Sequence, residues 1–326
     1  MRQVISFEDA ITATNGEDRA LLIGNGFSAQ YFNYATLLAE SGLDAGTPLR
    51  RLFELLDTAD FEAVVRALED AALVETAYEN KPHAQALSTD AQKVREALVN
   101  AVRSTHPAHR DDLAFQYDSG AAFLSSFGKV FTLNYDLLLY WVNLEKVHLR
   151  DGFGKGASIE GGRFKGPFYE DAYCDIYNLH GGLHLFQDDA GEVMKALNAG
   201  DGVIATITQS IAENRRLPIY VAEGSSAAKM RKINSVGYLR HCYEQLWQNA
   251  AILFVYGHSA DDNDAHIYRA VFSSNVTHVF FGVYQPDEAK LKRFSGQLAK
   301  HRELGGKNIG YTFYDAESAK VWNRVE

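Results

Sequence analysis

Two rhythms of apolar and polar residues run along this chain. Short, nearly unbroken apolar segments end in glycine or a polar turn: residues 19–24 (RALLIG), 129–136 (KVFTLNYD), 218–224 (PIYVAEG), 251–259 (AILFVYGHS), 277–284 (THVFFGVY) and 309–315 (IGYTFYD). Such runs predict buried strands. Other stretches place apolar residues three and four apart, as helices do. These are 31–38, most of 48–104, 137–144, 237–250 and 287–301. Residues 174–186 predict two strands around the pair Gly181–Gly182, and 190–215 a helical or mixed stretch. Residues 150–170 carry six glycines and predict a loop or irregular hairpin. Strands alternating with helices imply a doubly wound, mainly parallel α/β sheet. We read residues 1–326 as one such domain, with an all-helical insertion at 45–110 and a glycine-rich loop at 147–172.

In sheets of this kind ligands bind beyond the carboxyl ends of the strands, so the residues there are the candidate chemistry. The first strand ends in Gly24-Asn25-Gly26-Phe27-Ser28-Ala29, a G-x-G-x-x-A pattern. It suits either a tight strand–helix turn or close backbone approach to a phosphate. The second ends in Asn134-Tyr135-Asp136, whose polar pair would hold a ligand or cap the helix that follows. The third ends in His180-Gly181-Gly182. A turn histidine with a pKa near ~6.5 can take up a proton at neutral pH, and His184 two residues on is expected on the same face. The fourth, Gly257-His258-Ser259, would hold a ribose or phosphate, or cap the helix predicted at 264–271.

Composition narrows the field. The chain has 326 residues, 46% hydrophobic and 23% charged, with a net charge of −10. Direct nucleic-acid binding through a broad basic face is not expected; Arg215–Arg216 and Lys229–Lys232 are short local exceptions. No apolar run is long enough to span a membrane, and the first residues lack a secretory pattern, so a cytoplasmic location is expected. Cys174 and Cys242 are the two cysteines. They predict buried small hydrophobes rather than a disulfide framework or a metal site. A dehydrogenase sheet would return to a second strand soon after the first, whereas this chain runs into helices.

Taken together, LLIGNGFS (21–28), FTLNYD (131–136), NLHG (178–181) and VYGHS (255–259) resemble, in order and spacing, the sirtuin-like NAD-binding domains, especially their bacterial anti-phage defence branch. The resemblance spans residues 20–315. It implies cleavage of the nicotinamide–ribose bond of NAD, giving nicotinamide and ADP-ribose. It places Gly24, Asn25, Gly26, Phe27 and Ser28 around the pyrophosphate. Asn134 falls at the nicotinamide ribose with a water, Asp136 at the carboxamide, and His180 as general base. Gly257, His258 and Ser259 fall at the adenosine side. The four-cysteine zinc module of the protein-deacylating relatives cannot be built from two cysteines, which favours water as acceptor, with NAD as substrate and no metal. Because depleting NAD is self-toxic, the resemblance also implies a homo-oligomer or a defence-system partner such as an ATPase or sensor. The alternative is a non-catalytic NAD or ADP-ribose sensor. Residues 218–246 resemble a segment of uncharacterised sirtuin-like proteins, with no role attached.

Overall fold

The computed structural model describes residues 4–31, 37–107, 109–154, 157–170, 173–199, 201–213, 216–222 and 224–322. The helix predicted at 31–38 therefore lies mostly outside the described residues, as does Arg215. Among the described residues twelve strands occur in chain order: β1 (Val4–Ile5), β2 (Arg19–Ile23), β3 (Lys129–Thr132), β4 (Ala157–Ile159), β5 (Phe164–Gly166), β6 (Ile176–Asn178), β7 (Gly181–Gln187), β8 (Val193–Ala196), β9 (Pro218–Tyr220), β10 (Ile252–Tyr256), β11 (His278–Val283) and β12 (Gly310–Asp315).

Seven strands form one all-parallel sheet in the order β1-β12-β11-β10-β2-β3-β6. Outward from β2, β3 and β6 lie on one side and β10, β11 and β12 on the other. This is compatible with a Rossmann-like sheet, and the chain changes direction between β2 and β10. The central strand β2 shows why the apolar runs are unbroken. Leu21 and Ile23 enter one buried cluster, with Val94, Leu98 and Val102. Ala20 and Leu22 enter another, with Leu239, Ile267 and Val271. A strand covered by helices on both faces needs apolar residues on both.

Between β2 and β3 the described chain is helical, with α-helices at Pro48–Leu55, Phe61–Ala77, Lys81–Thr105 and Tyr117–Leu124. Local sequence starts them. Thr47 Oγ1 accepts from the Arg50 amide at 3.3 Å with Pro48 behind it, and Asp60 accepts from the Glu62 amide at 2.9 Å. Arg95, buried in the third helix, is tied to Glu69 of the second.

A second, antiparallel sheet, β4-β5-β8-β7-β9, corrects the sequence reading. The glycine-rich loop contains the hairpin β4–β5, one of the two forms expected of it, whereas Gly181–Gly182 open β7 rather than forming the turn. That turn is made by Leu179 and His180. Gly181 has φ +71° and a Cβ there would lie 2.2 Å from the Ile219 carbonyl; glycine is needed for the close approach to β9. The step between β6 and β7 thus carries the chain from one sheet to the other, with His180 at the crossing. No helix among the described residues is long and apolar enough to cross a membrane.

Candidate functional site

Two glycine loops meet where β2 and β10 end. The Gly24 amide donates to the Tyr256 carbonyl at 2.9 Å and the Gly26 amide to the Gly257 carbonyl at 2.8 Å. A Cβ on Gly26 would lie 2.5 Å from the Gly257 Cα, and one on Gly24 would lie 2.7 Å from the Gly257 carbonyl. The glycines are required first for loop-on-loop packing. Phe27 is buried, and its carbonyl accepts from the Trp322 indole. A cavity of about 1070 Å³ opens beside the two loops, lined by Gly26, Gly257, His258 and Ser259 and, farther along, by residues that follow β11 and β12. The cavity volume is ample for a dinucleotide.

Asn134, Asp136 and His180 do not line that cavity; all three are buried beside it. Asn134 donates to the Ser28 hydroxyl at 3.1 Å, while its own Oδ1 is buried without a hydrogen-bond partner. Such an orphaned acceptor is costly unless something supplies a donor. Asp136 accepts from the Leu138 amide at 2.8 Å, an Asx turn leading into the helix Leu138–Val142. Next to it the Leu137 amide donates to His106 Nε2 at 3.3 Å, and the other ring nitrogen of His106 meets the Val102 carbonyl at 3.0 Å. His106 comes from the end of the inserted helix Lys81–Thr105, which thereby braces the β3 turn.

His180 belongs to a buried cluster that sequence reading did not assemble. Its Nε2 lies 3.2 Å from His266 Nε2 and 3.9 Å from Asp264 Oδ1. Asp264 Oδ1 takes the Lys229 ammonium at 2.7 Å, and its Oδ2 faces His258 Nε2 at 3.3 Å. His258 Nδ1 accepts from the Ala260 amide and faces the Tyr268 hydroxyl, each at 2.9 Å. With Nδ1 accepting, the His258 proton sits on Nε2 and points at Asp264. His266 receives support from Ser226, whose hydroxyl lies 3.1 Å from Nδ1 and accepts the His266 amide at 3.0 Å.

Burial pushes His180 well below the usual imidazole range, against the opposing pull of Asp264, and pushes His266 down to about 4. Both rings are neutral at pH 7, and burial makes protonating them costly except as Asp264 offsets it. Burial alone would raise the Asp264 carboxyl; the His258 hydrogen bond and the Lys229 ammonium, joined by His180 and His258 when acid protonates them, hold it well below the usual carboxylate range. The ligand atoms of His180, Asp264 and His266 lie within 4.8 Å of one another, a spacing a metal ion could use. Lys229 already holds the carboxylate, however, and its ammonium supplies the positive charge there.

The profile of a domain of unknown function, DUF4917, matches residues 21–322. The chain belongs to the DUF4917 family. No curated protein matches it. The family description carries no activity, so chemistry has to be argued from the site.

In this DUF4917 chain the structure brings His180 and His258 together and puts Gly24, Gly26 and Gly257 in contact, with Ser28 against Asn134. The side chains of Asn134 and Asp136 have separate partners. His184 is not part of the His180 cluster. Its ring packs 4.9 Å from Tyr140, and burial lowers its pKa to about 3. Asp264, His266, Lys229 and Ser226 were missed as site residues. Two sequence signals touched them: the basic stretch Lys229–Lys232 and the 218–246 segment, whose helix Ser226–Ser235 delivers Ser226 and Lys229. Cys174 and Cys242 are free and buried as expected, with burial pushing the Cys174 thiol up to about 12.

Proposed function

We propose that this chain binds NAD in the crevice between the β2 and β10 loops and hydrolyses its nicotinamide–ribose bond, as an NAD-depleting defence effector. One observation carries the reading. A dinucleotide-sized cavity opens at the point where strand order reverses, and a neutral histidine backed by an ionised carboxylate, His180 with Asp264, is buried beside it. A nucleotide site is expected at such a reversal.

In the proposed reaction the water oxygen bonds to the ribose anomeric carbon as the N-glycosidic bond breaks. The bonding pair leaves with nicotinamide, and the water proton passes to His180. Asp264 would stabilise the imidazolium that results, and Lys229 would keep Asp264 ionised. The orphaned Oδ1 of Asn134 fits a water or a ribose hydroxyl. Asp136 is the weakest assignment, because its carboxylate already holds the Leu138 amide.

The test is release of free nicotinamide from NAD by the purified protein, with His180→Ala and Asn134→Ala alongside. Turnover that survives both substitutions sinks the assignment of His180 and Asn134 to the reaction, and absence of nicotinamide release from the parent sinks the hydrolase. A second reading, a nucleotide sensor without turnover, is favoured by the burial of Asn134 and His180 away from the cavity lining. Thermal stabilisation by NAD without nicotinamide release would select it.

A further inference from the structure

The far end of the cavity, beyond β11 and β12, is positively charged in a chain whose net charge is −10. Lys290, Arg293 and Lys320 line it, with Glu317 as the opposing charge. Lys290 is engaged: its ammonium donates to the Tyr284 and Gln285 carbonyls at 3.0 and 2.8 Å, pinning the turn after β11, and Asp287 lies 3.9 Å away. Arg293 is held differently, with its guanidinium 4.7 Å from the centre of the Phe294 ring. Among the described residues neither Arg293 nor Lys320 has a carboxylate partner. A cleft with unneutralised cations on a low-dielectric wall concentrates anions.

The glycine loop is poorly placed to do that work itself. Four of its five amides are spent on protein carbonyls: Gly24 on Tyr256, Gly26 on Gly257, Phe27 on Gly24 and Ser28 on Asn25, at 2.8 to 3.1 Å. A phosphate entering the cavity needs donors, and the charged donors of its lining without a carboxylate partner among the described residues are the side chains of Arg293 and Lys320. We propose that Arg293 and Lys320 form a phosphate-binding site at the β11–β12 end of the cavity. It rests on the nucleotide reading above only for the identity of the phosphate's carrier: the pyrophosphate of a dinucleotide, or a phosphate on its adenosine ribose.

The experiment is titration of the full chain and of the double variant Arg293→Ala/Lys320→Ala with NAD, NADP and inorganic pyrophosphate, by calorimetry at low salt. Both side chains are exposed, so the variant's melting temperature should stay within about 2 °C of the parent. The expected result is a loss of at least about tenfold in affinity, equivalent to about 1.4 kcal/mol. A loss shared by NAD and NADP assigns the pyrophosphate; a loss confined to NADP assigns the ribose phosphate. If both nucleotides bind parent and variant equally, the phosphate site is wrong and the nucleotide reading stands. If pyrophosphate alone binds the parent and is lost from the variant, the phosphate site stands and the nucleotide reading fails. No binding of any of the three overturns both.

Discussion

The two sides of the crevice are built on different principles. On the β2–β10 side, backbone meets backbone. Gly26 and Gly257 touch so closely that neither tolerates a side chain, and the result is an open wall. Where the β3 and β6 ends meet the β2 loop and the segment after β10, buried polar side chains face one another: Asn134 with Ser28, His180 with His266, and Asp264 with Lys229 and His258. The first side is decided by the absence of atoms and is written in consecutive residues. The second is decided by charges taken out of water, whose compensation has to arrive from distant elements. The same strand-end position thus means packing in one case and electrostatics in the other.

Substitutions that break each side should differ in size and kind. Gly26→Ala is expected to have the largest effect. Its Cβ would meet the backbone rather than a movable side chain, so about 3 kcal/mol or more of stability should be lost in urea unfolding. A loss under about 1 kcal/mol would mean that the two loops can separate.

Acid should act on the other side of the crevice. His180 and His266 have folded pKa values below the unfolded value of ~6.5, so they contribute stability fully above that pH. It is lost as pH falls toward about 4, where folded His266 titrates. Unfolding free energies measured near neutrality and near pH 4.5 should differ by about 2 kcal/mol from His266 alone, with His180 adding to the difference. His180→Gln/His266→Gln should flatten the slope; an unchanged slope would assign the acid sensitivity elsewhere. The Asp264 contribution follows the carboxylate rule. It is present above ~3.9 and is lost only in stronger acid.

Lys229→Met removes the ammonium from Asp264. Both side chains keep some solvent contact, 11% and 16% exposed, so the expected cost is about 2 kcal/mol, less than for a fully buried pair. Adding Asp264→Asn should recover part of it, and a double-mutant cycle measures how much. Strict additivity would show that the pair is not coupled.

Asp136→Ala should have the smallest effect, about 1 kcal/mol, through loss of the Asx turn. Asp136→Asn keeps the turn. Nicotinamide release that drops in the Asn variant while its stability holds would restore a role at the substrate. Unchanged release would leave Asp136 as a structural residue.

Much of the parallel sheet was legible because a doubly covered strand leaves an unbroken apolar run, as in RALLI and ILFVY. The helices between β2 and β3 were legible by their apolar spacing, and the structure adds Thr47 and Asp60 at their starts. The antiparallel sheet was legible only in part. The apolar runs in 174–186 and 218–224 marked β7 and β9, but β4 and β5 have only three residues each, too few to express a period, and Gly181 marks a close approach rather than a turn. At the site, the strand-end residues His180 and His258 could be picked out one by one. Nothing local announced that Asp264 lies between them, or that Lys229 and Ser226 reach them from another helix.

The sequence by itself determined which residues stand at the strand ends, because periodicity and glycine punctuation are local properties of the chain. Only the tertiary structure decided what those residues do to one another. Whether a buried carboxylate stays ionised, or a buried histidine stays neutral, depends on charges within a few ångströms in space. The groups that face Asp264 come from positions 180, 229 and 258, which meet only when the chain has folded.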